Sequence, residues 1–326
     1  MPVDQMARAL GIPERPFSAQ TSIAGAGVVA APRLARTIIE AGLASVVVTY
    51  FSIALGANSG GPYAVHAEDP WKAEFELPAG WFGQPTYFAA VAARYAHEFG
   101  LPDDALAAVV GAARAHAART PNALLREPVT SADYDRSPIV ASPLRKADCC
   151  LTNDGAIAYV MTSAERARSL AKPPVVVRGA GLAAAATTQA EYFTQRSDYF
   201  SLAAGAAFGA ALAESGLQRS DIDIAELYDC FSITTLLQLE ELGFAERGGG
   251  PAYVLESGIG PGSPVPVNTH GGLLAQSYVV AGNHVVEAVR QLRGERGEGQ
   301  VEGAEVAMVT GLGIPDYACT LLSVDR

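Results

Sequence analysis

Two polar clusters in this chain combine residue types that can move protons with a position typical of functional sites. Tyr228 and Asp229 follow an apolar run, and Asn268 and His270 follow a proline-rich extended segment. A helical pattern begins within a few residues of each cluster. Open α/β folds place their sites here, where a strand ends and a helix begins. A phenol, a carboxyl, a carboxamide and an imidazole at one sheet edge can exchange protons and hydrogen bonds, so a site is predicted there.

Runs of apolar residues and the glycines that follow them predict the elements that position these clusters. Helices are predicted over 28–40, 232–242 and 272–293. Strands are predicted over 43–51, 156–162, 173–181, 222–227, 304–310 and 317–324. From Pro173 onward strands and helices alternate, which is typical of a mostly parallel sheet covered by helices.

The composition excludes several classes of protein. The 326 residues are 49% hydrophobic and 17% charged, which indicates a globular chain with substantial cores. The formal net charge of -11 argues against a nucleic-acid partner. The first residues are polar and interrupted by prolines, unlike a signal peptide, and the longest apolar run is too short to span a membrane. A soluble cytoplasmic protein is therefore expected.

Neither a metal site nor a tightly bound cofactor is predicted. The four cysteines lack metal-binding spacing and are expected to be reduced thiols, and the five histidines contain no pair four residues apart. His97 and His116 lie on predicted surface helices and are expected to be solvated. Glycine patterns at 25–30 and 179–184 imitate a dinucleotide fingerprint, but close packing of a helix on a strand explains them better.

Five segments, in this order along the chain, resemble the thiolase superfamily, specifically its lipid-transfer-protein branch related to the sterol-carrier thiolases. The segments are Gly42 with the strand that follows it, 148–158, Glu226 to Phe231, Asn268 to Gly272, and Gly311 to Gly313. The resemblance covers nearly the whole chain. It implies a five-layered αβαβα sandwich of two similar halves, usually dimeric, that acts on acyl-CoA.

The resemblance also divides the chain. Residues 1–163 correspond to the N-terminal half, with an inserted region at about 54–146, and residues 164–326 correspond to the C-terminal half. The family's first strand has no counterpart before the helix of the first half. The N-terminal half is therefore expected to be incomplete.

Several residues depart from the thiolase pattern. A thiolase carries a nucleophilic cysteine at the start of a buried helix, which here begins near Gly25 without any cysteine. Tyr228 replaces an asparagine or histidine, and Tyr278 lies in the segment that replaces a Gly-His-Pro motif. Thr310 replaces the second cysteine. Without a thiolate no acyl-enzyme can form, so thiolysis and Claisen condensation are not expected.

Tyrosines at these two positions resemble the thiolase-like aldolases that remove steroid side chains from acyl-CoA thioesters. The resemblance implies a retro-aldol reaction, with Tyr228 and Tyr278 as proton donor and acceptor in an unassigned order. A tyrosine base would need a hydrogen bond or a nearby positive charge, since its ordinary pKa is about 10. Asn268 and His270 are expected to organise the site. Asp229 is expected either to orient Tyr228 or to cap the helix that follows it.

The resemblance makes CoA part of the substrate and implies partner proteins. Backbone N–H groups of Gly25, Ala26 and Gly27, at a helix N-terminus, are expected to polarise the thioester oxygen. Gly311 and Gly313 are further expected contacts of the CoA thioester. A homodimer that works with a small partner of OB fold and zinc ribbon is implied. Two alternatives stay open: a non-catalytic acyl-CoA-binding subunit and an acetyl-CoA acetyltransferase-like paralogue.

Overall fold

Helix α2, formed by Ala24–Glu40, lies between two β-sheets, and its first turn reaches the predicted site. The computed structural model describes residues 3–12, 14–21, 23–55, 67–185 and 198–325. Residues 56–66 of the predicted insertion lie outside this described part.

The strands form one larger sheet and two pairs. They are β1 Val46–Ile53, β2 Ile139–Ala141, β3 Leu144–Arg145, β4 Gly155–Thr162, β5 Val175–Ala184, β6 Ile224–Glu226, β7 Val306–Leu312 and β8 Asp316–Val324. Strands β5, β8, β7 and β6 form a four-stranded sheet in that order. Strands β1 and β4 pair antiparallel, with Val46 opposite Thr162, and β2 pairs with β3.

The four-stranded sheet is mostly antiparallel, so the predicted mostly parallel sheet is wrong. Only β6 and β7 run parallel in it, whereas β8 is antiparallel to both β7 and β5. Residues 313–315 are all that joins β7 to β8. So short a link makes a hairpin, because parallel neighbours need a crossover of about a dozen residues or more.

Helices cover both faces of the four-stranded sheet. In the described residues they are α1 Val3–Ala9, α2, α3 Gln84–Phe99, α4 Asp103–Ala118, α5 Ser131–Asp135, α6 Ala164–Arg168, α7 Ala204–Ser215, α8 Ser232–Glu241, α9 Gly250–Glu256, α10 Gly272–Ala275 and α11 Gly282–Leu292. Helices α7 and α8 pack on one face, and α2 and α11 on the other, with β1 and β4 beyond α2. No described helix has the length and apolar character to cross a bilayer.

The predicted helix over 272–293 is in fact two helices, α10 and α11, separated by a break. Within the break, Val280 and Ala281 have φ of +46° and +65°. Residues other than glycine rarely adopt this conformation. The apolar pattern continues across the break and contains no sign of it. As a result Tyr278 lies outside any helix.

Two hydroxyl groups fasten α2 to the sheets on either side of it. Pro32 lies inside α2 and has no N–H, so the carbonyl of Val28 lacks its helical donor. The Tyr159 hydroxyl of β4 donates a hydrogen bond to that carbonyl oxygen. On the opposite side, Thr320 Oγ1 of β8 donates to the Val29 carbonyl oxygen at 2.7 Å. The N-terminal part of α2 is thereby held in place against both sheets.

Candidate functional site

Tyr228 lies just beyond the C-terminal end of β6 and is 4% exposed. Its backbone N–H donates to Thr310 Oγ1 at 3.0 Å. Its carbonyl oxygen accepts hydrogen bonds from Gln238 Nε2 at 2.8 Å and from Thr234 Oγ1 at 3.1 Å. The residue thus occupies the predicted position between a strand and the helix α8, and its backbone is held at both ends.

Tyr278 reaches the same place from the break between α10 and α11. Its N–H donates to Asn153 Oδ1 at 2.7 Å, and Asn153 Nδ2 donates to its carbonyl oxygen at 3.4 Å. The hydroxyl oxygens of Tyr228 and Tyr278 are 3.3 Å apart, although the residues are 50 positions apart in the chain. This distance brings the two phenols together but is longer than the roughly 2.5–3.0 Å usual between hydrogen-bonded hydroxyl oxygens, so any bond between them is weak.

Burial keeps both phenols protonated. Burial raises the pKa of Tyr228 well above its ordinary value of 10.0, and the neighbouring Tyr278 raises it further. Burial likewise raises the pKa of Tyr278. The side chains that act on these two pKa values are tyrosines and cysteines, not cations. The pair therefore consists of two neutral hydroxyl groups at neutral pH.

The first turn of α2 lies directly against the Tyr228 ring. A Cβ atom added to Gly25 would lie 2.2 Å from Tyr228 Cε2. The end of β7 and the link after it approach this turn just as closely: a Cβ on Gly311 of β7 would lie 2.3 Å from the Gly25 carbonyl oxygen, and one on Gly313 of the link 2.3 Å from that of Ile23. Close packing accounts for these glycines, and the role of Gly311 and Gly313 in holding CoA stays a prediction.

The start of α2 offers two backbone donors near the tyrosine pair. Helix geometry provides no acceptor within α2 for the N–H groups of Gly25 and Ala26. The N–H of Gly27, by contrast, already donates to the Ile23 carbonyl oxygen at 3.1 Å. Of the three predicted donors, Gly25 and Ala26 are therefore the two that suit an anionic oxygen. The positive end of the 17-residue helix adds to this preference.

Asn268 fastens the turn before α10 to the strand end that carries Tyr228. Its Oδ1 accepts a hydrogen bond from Leu227 N–H at 2.7 Å, and its own N–H donates to the Ala225 carbonyl oxygen at 3.0 Å. Its φ is +55°, which asparagine tolerates better than most residues. The side chain is buried. These contacts support the predicted organising role of Asn268.

Asp229 does not cap the helix that follows it, so that part of its prediction is wrong. The residue before α8 is Phe231, which makes no side-chain capping bond. Asp229 Oδ1 instead accepts from Leu273 N–H at 2.8 Å, and Oδ2 accepts from Leu274 N–H at 3.4 Å, at the start of α10. A Cβ on Gly272 would lie 2.0 Å from Asp229 Oδ2. The carboxylate therefore joins the two polar clusters of the sequence.

His270 forms a buried ion pair with Glu226. Its Nδ1 lies 3.1 Å from Glu226 Oε2, and the two side chains are 3% and 0% exposed. Burial opposes both charges, but the attraction outweighs it, raising the pKa of His270 and lowering that of Glu226. Thr269 Oγ1 also contacts Glu226 Oε1, at 2.8 Å. The turn is thus anchored to β6 through a charge pair.

His284 of α11 completes this buried cluster. Ligand atoms of Glu226, His270 and His284 lie within 4.8 Å of one another, a spacing that would suit a metal ion. However, His284 Nε2 lies 2.8 Å from the Leu227 carbonyl oxygen and 3.3 Å from Asp229 Oδ1. Two acceptors this close require a proton on that nitrogen. That nitrogen of His284 is therefore not available to a metal ion.

The cysteines beside the tyrosine pair are poor nucleophiles. Cys150 N–H donates to the Cys230 carbonyl oxygen at 2.9 Å, which places the two residues side by side. Burial raises the pKa of Cys149 to about 12 and also raises the pKa of Cys150 and Cys230. The thiolate is the reactive form of cysteine, so none of these thiols replaces the missing catalytic one.

Four buried or partly buried residues that fasten the site were not predicted from the sequence. They are Asn153, Glu226, Gln238 and His284. The signal available for Glu226 and Gln238 was a polar residue inside an otherwise apolar run. The prediction for His116 is wrong: it is 3% exposed, and its Nε2 lies 3.4 Å from the Ile259 carbonyl oxygen.

Comparison with known proteins agrees with this architecture. Residues 184–320 match the family model described as thiolase C-terminal domain-like. The 17-hydroxy-3-oxo-4-pregnene-20-carboxyl-CoA lyase of Mycobacterium tuberculosis is 37% identical over 95% of this chain and 82% of the relative. The steroid side-chain-cleaving aldolase of Thermomonospora curvata is 32% identical over 98% of this chain and 84% of the relative.

A solved structure shows the same likeness in three dimensions. The Ltp2-ChsH2(DUF35) aldolase superposes with a TM-score of 0.89 at 33% identity, covering 99% of this chain and 84% of that one. Sequence and structure thus agree over almost the full chain. The chain belongs to the thiolase superfamily, in the sterol-carrier-related branch that includes the steroid side-chain-cleaving aldolases.

Proposed function

We propose that this chain cleaves a β-hydroxyacyl-CoA thioester by a retro-aldol reaction, with Tyr228 and Tyr278 moving the proton. The observation that carries the proposal is the 3.3 Å contact between their hydroxyl groups, which forms where thiolases use other residues. The chain has no cysteine on the first turn of α2, so no covalent acyl intermediate is required. The lyase and aldolase relatives support the same reaction class.

The tyrosine pair can act as a relay between two neutral phenols. The substrate β-hydroxyl gives its proton to one tyrosine, which passes its own proton to the other. The second tyrosine protonates the α-carbon as the bond between the α- and β-carbons breaks. The β-carbon becomes a carbonyl group, and the electron pair of the broken bond passes through the thioester enolate into the new C–H bond. Each tyrosine gains one proton and loses one, so neither needs to be ionised beforehand.

Negative charge develops on the thioester oxygen as the bond breaks, and that oxygen needs to be stabilised. The N–H groups of Gly25 and Ala26 lie at the positive end of α2, against the Tyr228 ring. Donors fixed in this way stabilise an anionic oxygen without reorganisation. We assign the thioester oxygen to this turn, beside the tyrosine pair.

The proposed substrate is a steroid acyl-CoA whose β-hydroxyl is tertiary, so that cleavage yields a ketone and a shortened acyl-CoA. The printed names of two full-length relatives support this choice: one is a lyase of a 17-hydroxy steroid carboxyl-CoA and the other a steroid side-chain-cleaving aldolase. CoA then enters as part of the substrate.

A small partner protein and a second copy of the chain complete the proposed enzyme. The solved relative contains both Ltp2 and ChsH2(DUF35), which supports a partner here. For that partner we propose an OB fold with a zinc ribbon. The outer face of the β1–β4 pair supports a homodimer, because Val46, Val48 and Val160 are 39%, 38% and 66% exposed on it.

A product assay tests the reaction. The chain and its partner are given the steroid β-hydroxyacyl-CoA, and mass spectrometry follows the ketone and the shortened acyl-CoA. We expect cleavage by the wild type and a fall in kcat of about 10²-fold or more in Tyr278→Phe and in Tyr228→Phe. Tyr95→Phe is the matched control, because Tyr95 is fully buried and bonds to Glu240 instead. A folded complex that binds the thioester without cleaving it would instead indicate the acyl-CoA-binding subunit.

A further inference from the structure

Gln238 closes a ring of hydrogen bonds on the backbone of Tyr228. The Tyr228 N–H donates to Thr310 Oγ1 at 3.0 Å, and that hydroxyl donates to Gln238 Oε1 at 2.8 Å. Gln238 Nε2 then donates back to the Tyr228 carbonyl oxygen at 2.8 Å. One side chain thus holds, directly or through Thr310, both polar groups of the Tyr228 backbone.

The carboxamide of Gln238 has no spare capacity. Its Oε1 accepts from Thr310 and also from the Tyr317 hydroxyl, at 2.7 Å. Its Nε2 donates to Tyr228 and also to the Thr234 carbonyl oxygen, at 2.9 Å. A carboxamide offers two donor hydrogens and two acceptor lone pairs, and all four are used. Two carbonyl oxygens face one end, which settles that this end is the nitrogen.

The environment of Gln238 makes this arrangement rigid. The side chain is 0% exposed in α8, packed on the face of the sheet that carries Thr310 and Tyr317. Its partners come from α8, β7, β8 and the end of β6, so the amide ties four elements together at one point. Losing one buried partner leaves the others unsatisfied, which makes alternative arrangements costly.

We propose that Gln238 is a positioning residue for the cleavage reaction: by fixing the Tyr228 peptide, it holds the Tyr228 hydroxyl in reach of Tyr278. This rests on the proposed function. The Tyr228 hydroxyl lies at the far end of its aromatic side chain, so a small rotation of the Tyr228 peptide displaces this hydroxyl by a large distance. The contact of 3.3 Å is already longer than the roughly 2.5–3.0 Å usual between hydrogen-bonded hydroxyl oxygens, so little further displacement is tolerated. A misplacement of about 1 Å costs roughly 10²-fold in rate.

The first test compares Gln238→Leu with a matched control. Gln238→Leu keeps the approximate size and removes all four hydrogen bonds; kcat falls about 10²-fold while KM stays within about threefold. The control is Gln291→Leu, at a glutamine 1% exposed whose side chain bonds to Glu287 within α11 and to Gly299 and Val301 beyond it, and not to Tyr228 or Thr310. It lowers the melting temperature comparably but leaves kcat within about threefold. Equal kcat in both variants overturns the proposal.

A second variant gives a readout that simple destabilisation does not produce. Gln238→Glu restores the acceptor for Thr310 and Tyr317, but only the protonated carboxyl can donate to Tyr228. Its kcat is therefore closest to that of the wild type at low pH and falls as the introduced carboxyl ionises. A pH profile parallel to that of the wild type contradicts the positioning role.

The third measurement separates this proposal from the proposed function. Fluorotyrosine is incorporated throughout the chain, and the ¹⁹F signal of Tyr228 is assigned with Tyr228→Phe. Gln238→Leu shifts or splits that signal and Gln291→Leu leaves it in place, whether or not the wild type cleaves any substrate. An unmoved signal overturns the positioning role, whereas a moved signal with an inactive wild type overturns only the reaction. If Gln238→Leu does not fold, the same measurements are made on Thr310→Val, which removes the hydrogen bonds of Thr310 Oγ1 to the Tyr228 N–H and to Gln238 Oε1.

Discussion

A phenol buried beside another phenol holds its proton more tightly than one in water, and this decides how Tyr228 and Tyr278 can work. Burial disfavours the charged form of each, and no cation compensates among the groups that act on their pKa values. A tyrosinate that is ionised before the substrate binds would therefore be unfavourable, because it is buried and no cation stabilises it. A relay in which each phenol gains one proton as it loses another avoids the charged state.

The pH dependence of kcat distinguishes a relay from a tyrosinate base. The neutral phenols are the active form, and their raised pKa values extend that form to higher pH. We therefore expect kcat to stay level from about pH 7 to pH 9.5, without a rising limb toward the ordinary tyrosine pKa of about 10. The measurement is kcat at saturating thioester across this range. A tenfold rise per pH unit would show that an ionised tyrosine is the base.

A second titrating residue, His116, affects stability rather than catalysis. Burial lowers its pKa to about 4, so the folded state keeps it neutral. The unfolded chain binds a proton below about pH 6.5, and stability is therefore lost as the pH falls from 6.5 toward 4, by up to about 3 kcal/mol. Between pH 7 and pH 4.5, the free energy of unfolding should fall less for His116→Gln than for the wild type. Equal losses of unfolding free energy in the two proteins would contradict the assignment of this pH dependence to His116.

The residues proposed to react were easier to find in the sequence than those that hold them. Tyr228 and Tyr278 were predicted through a family resemblance, and the structure brings their hydroxyls together. Gln238 was not predicted, because a polar residue between the leucines of α8 does not show which groups it will bond to. Its partners Thr310 and Tyr317 lie 72 and 79 positions away. Contacts over such separations depend on how the sheet forms, which a local pattern does not contain.

At the scale of elements, the break between α10 and α11 is the feature that brings Tyr278 to the site. A continuous helix would keep the Tyr278 N–H in helical hydrogen bonding, whereas the break frees it for Asn153. The sequence predicted one helix because nothing in local propensity marks Val280 and Ala281 for positive φ. Tertiary contacts impose this conformation, so the residue types alone could not reveal it.

Replacement of Asn153 tests this account of the break. Asn153→Ala removes both bonds to the Tyr278 backbone, so we expect a stability loss of about 1–2 kcal/mol and a fall in kcat of about tenfold or more. Asn153→Asp keeps the acceptor of the 2.7 Å bond and should recover most of the activity. Thermal unfolding and kcat of both variants provide the measurement. Equal activity of Asn153→Ala and the wild type would show that the conformation of the break between α10 and α11 does not depend on Asn153.

The relative direction of the strands in the four-stranded sheet was predicted wrongly for a different reason. Alternation of strands and helices indicated parallel neighbours, and this holds for β6 and β7. The antiparallel pairing of β7 with β8 could have been predicted from the sequence, since only residues 313–315 separate these two strands. A loop of that length excludes a parallel pair. The parallel edge, correctly predicted, is the one that carries Tyr228.

At the scale of the whole molecule, the two sheets differ in how well they are covered. The four-stranded sheet has helices on both faces, whereas in the described residues the β1–β4 pair is covered on its inner face only, by α2 and α11. On the outer face, Val48 and Val160 lie opposite each other in the register. Apolar side chains paired in this way gain by association with another apolar surface. This is the face we propose for the homodimer.

Val160→Lys tests the proposed dimer. A charge in the middle of an apolar interface should weaken association about tenfold or more, because the ammonium group would have to be desolvated. The control is Leu182→Lys, at a 48% exposed residue of β5 in the other sheet. Light scattering coupled to size exclusion, at several concentrations, gives the masses. A wild type that remains monomeric throughout would rule out the dimer.

The contact between Gly25 and the Tyr228 ring has a consequence for how such an enzyme can arise from a thiolase ancestor. Any side chain at position 25 would have to share space with the ring, because its Cβ would lie 2.2 Å from Cε2. A side chain at position 25 and a tyrosine at position 228 thus compete for the same space. A lineage passing from one state to the other must make the two substitutions together or cross a poorly packed intermediate. Reversal of either change alone leads back through the same intermediate, so a single point of contact constrains the historical path.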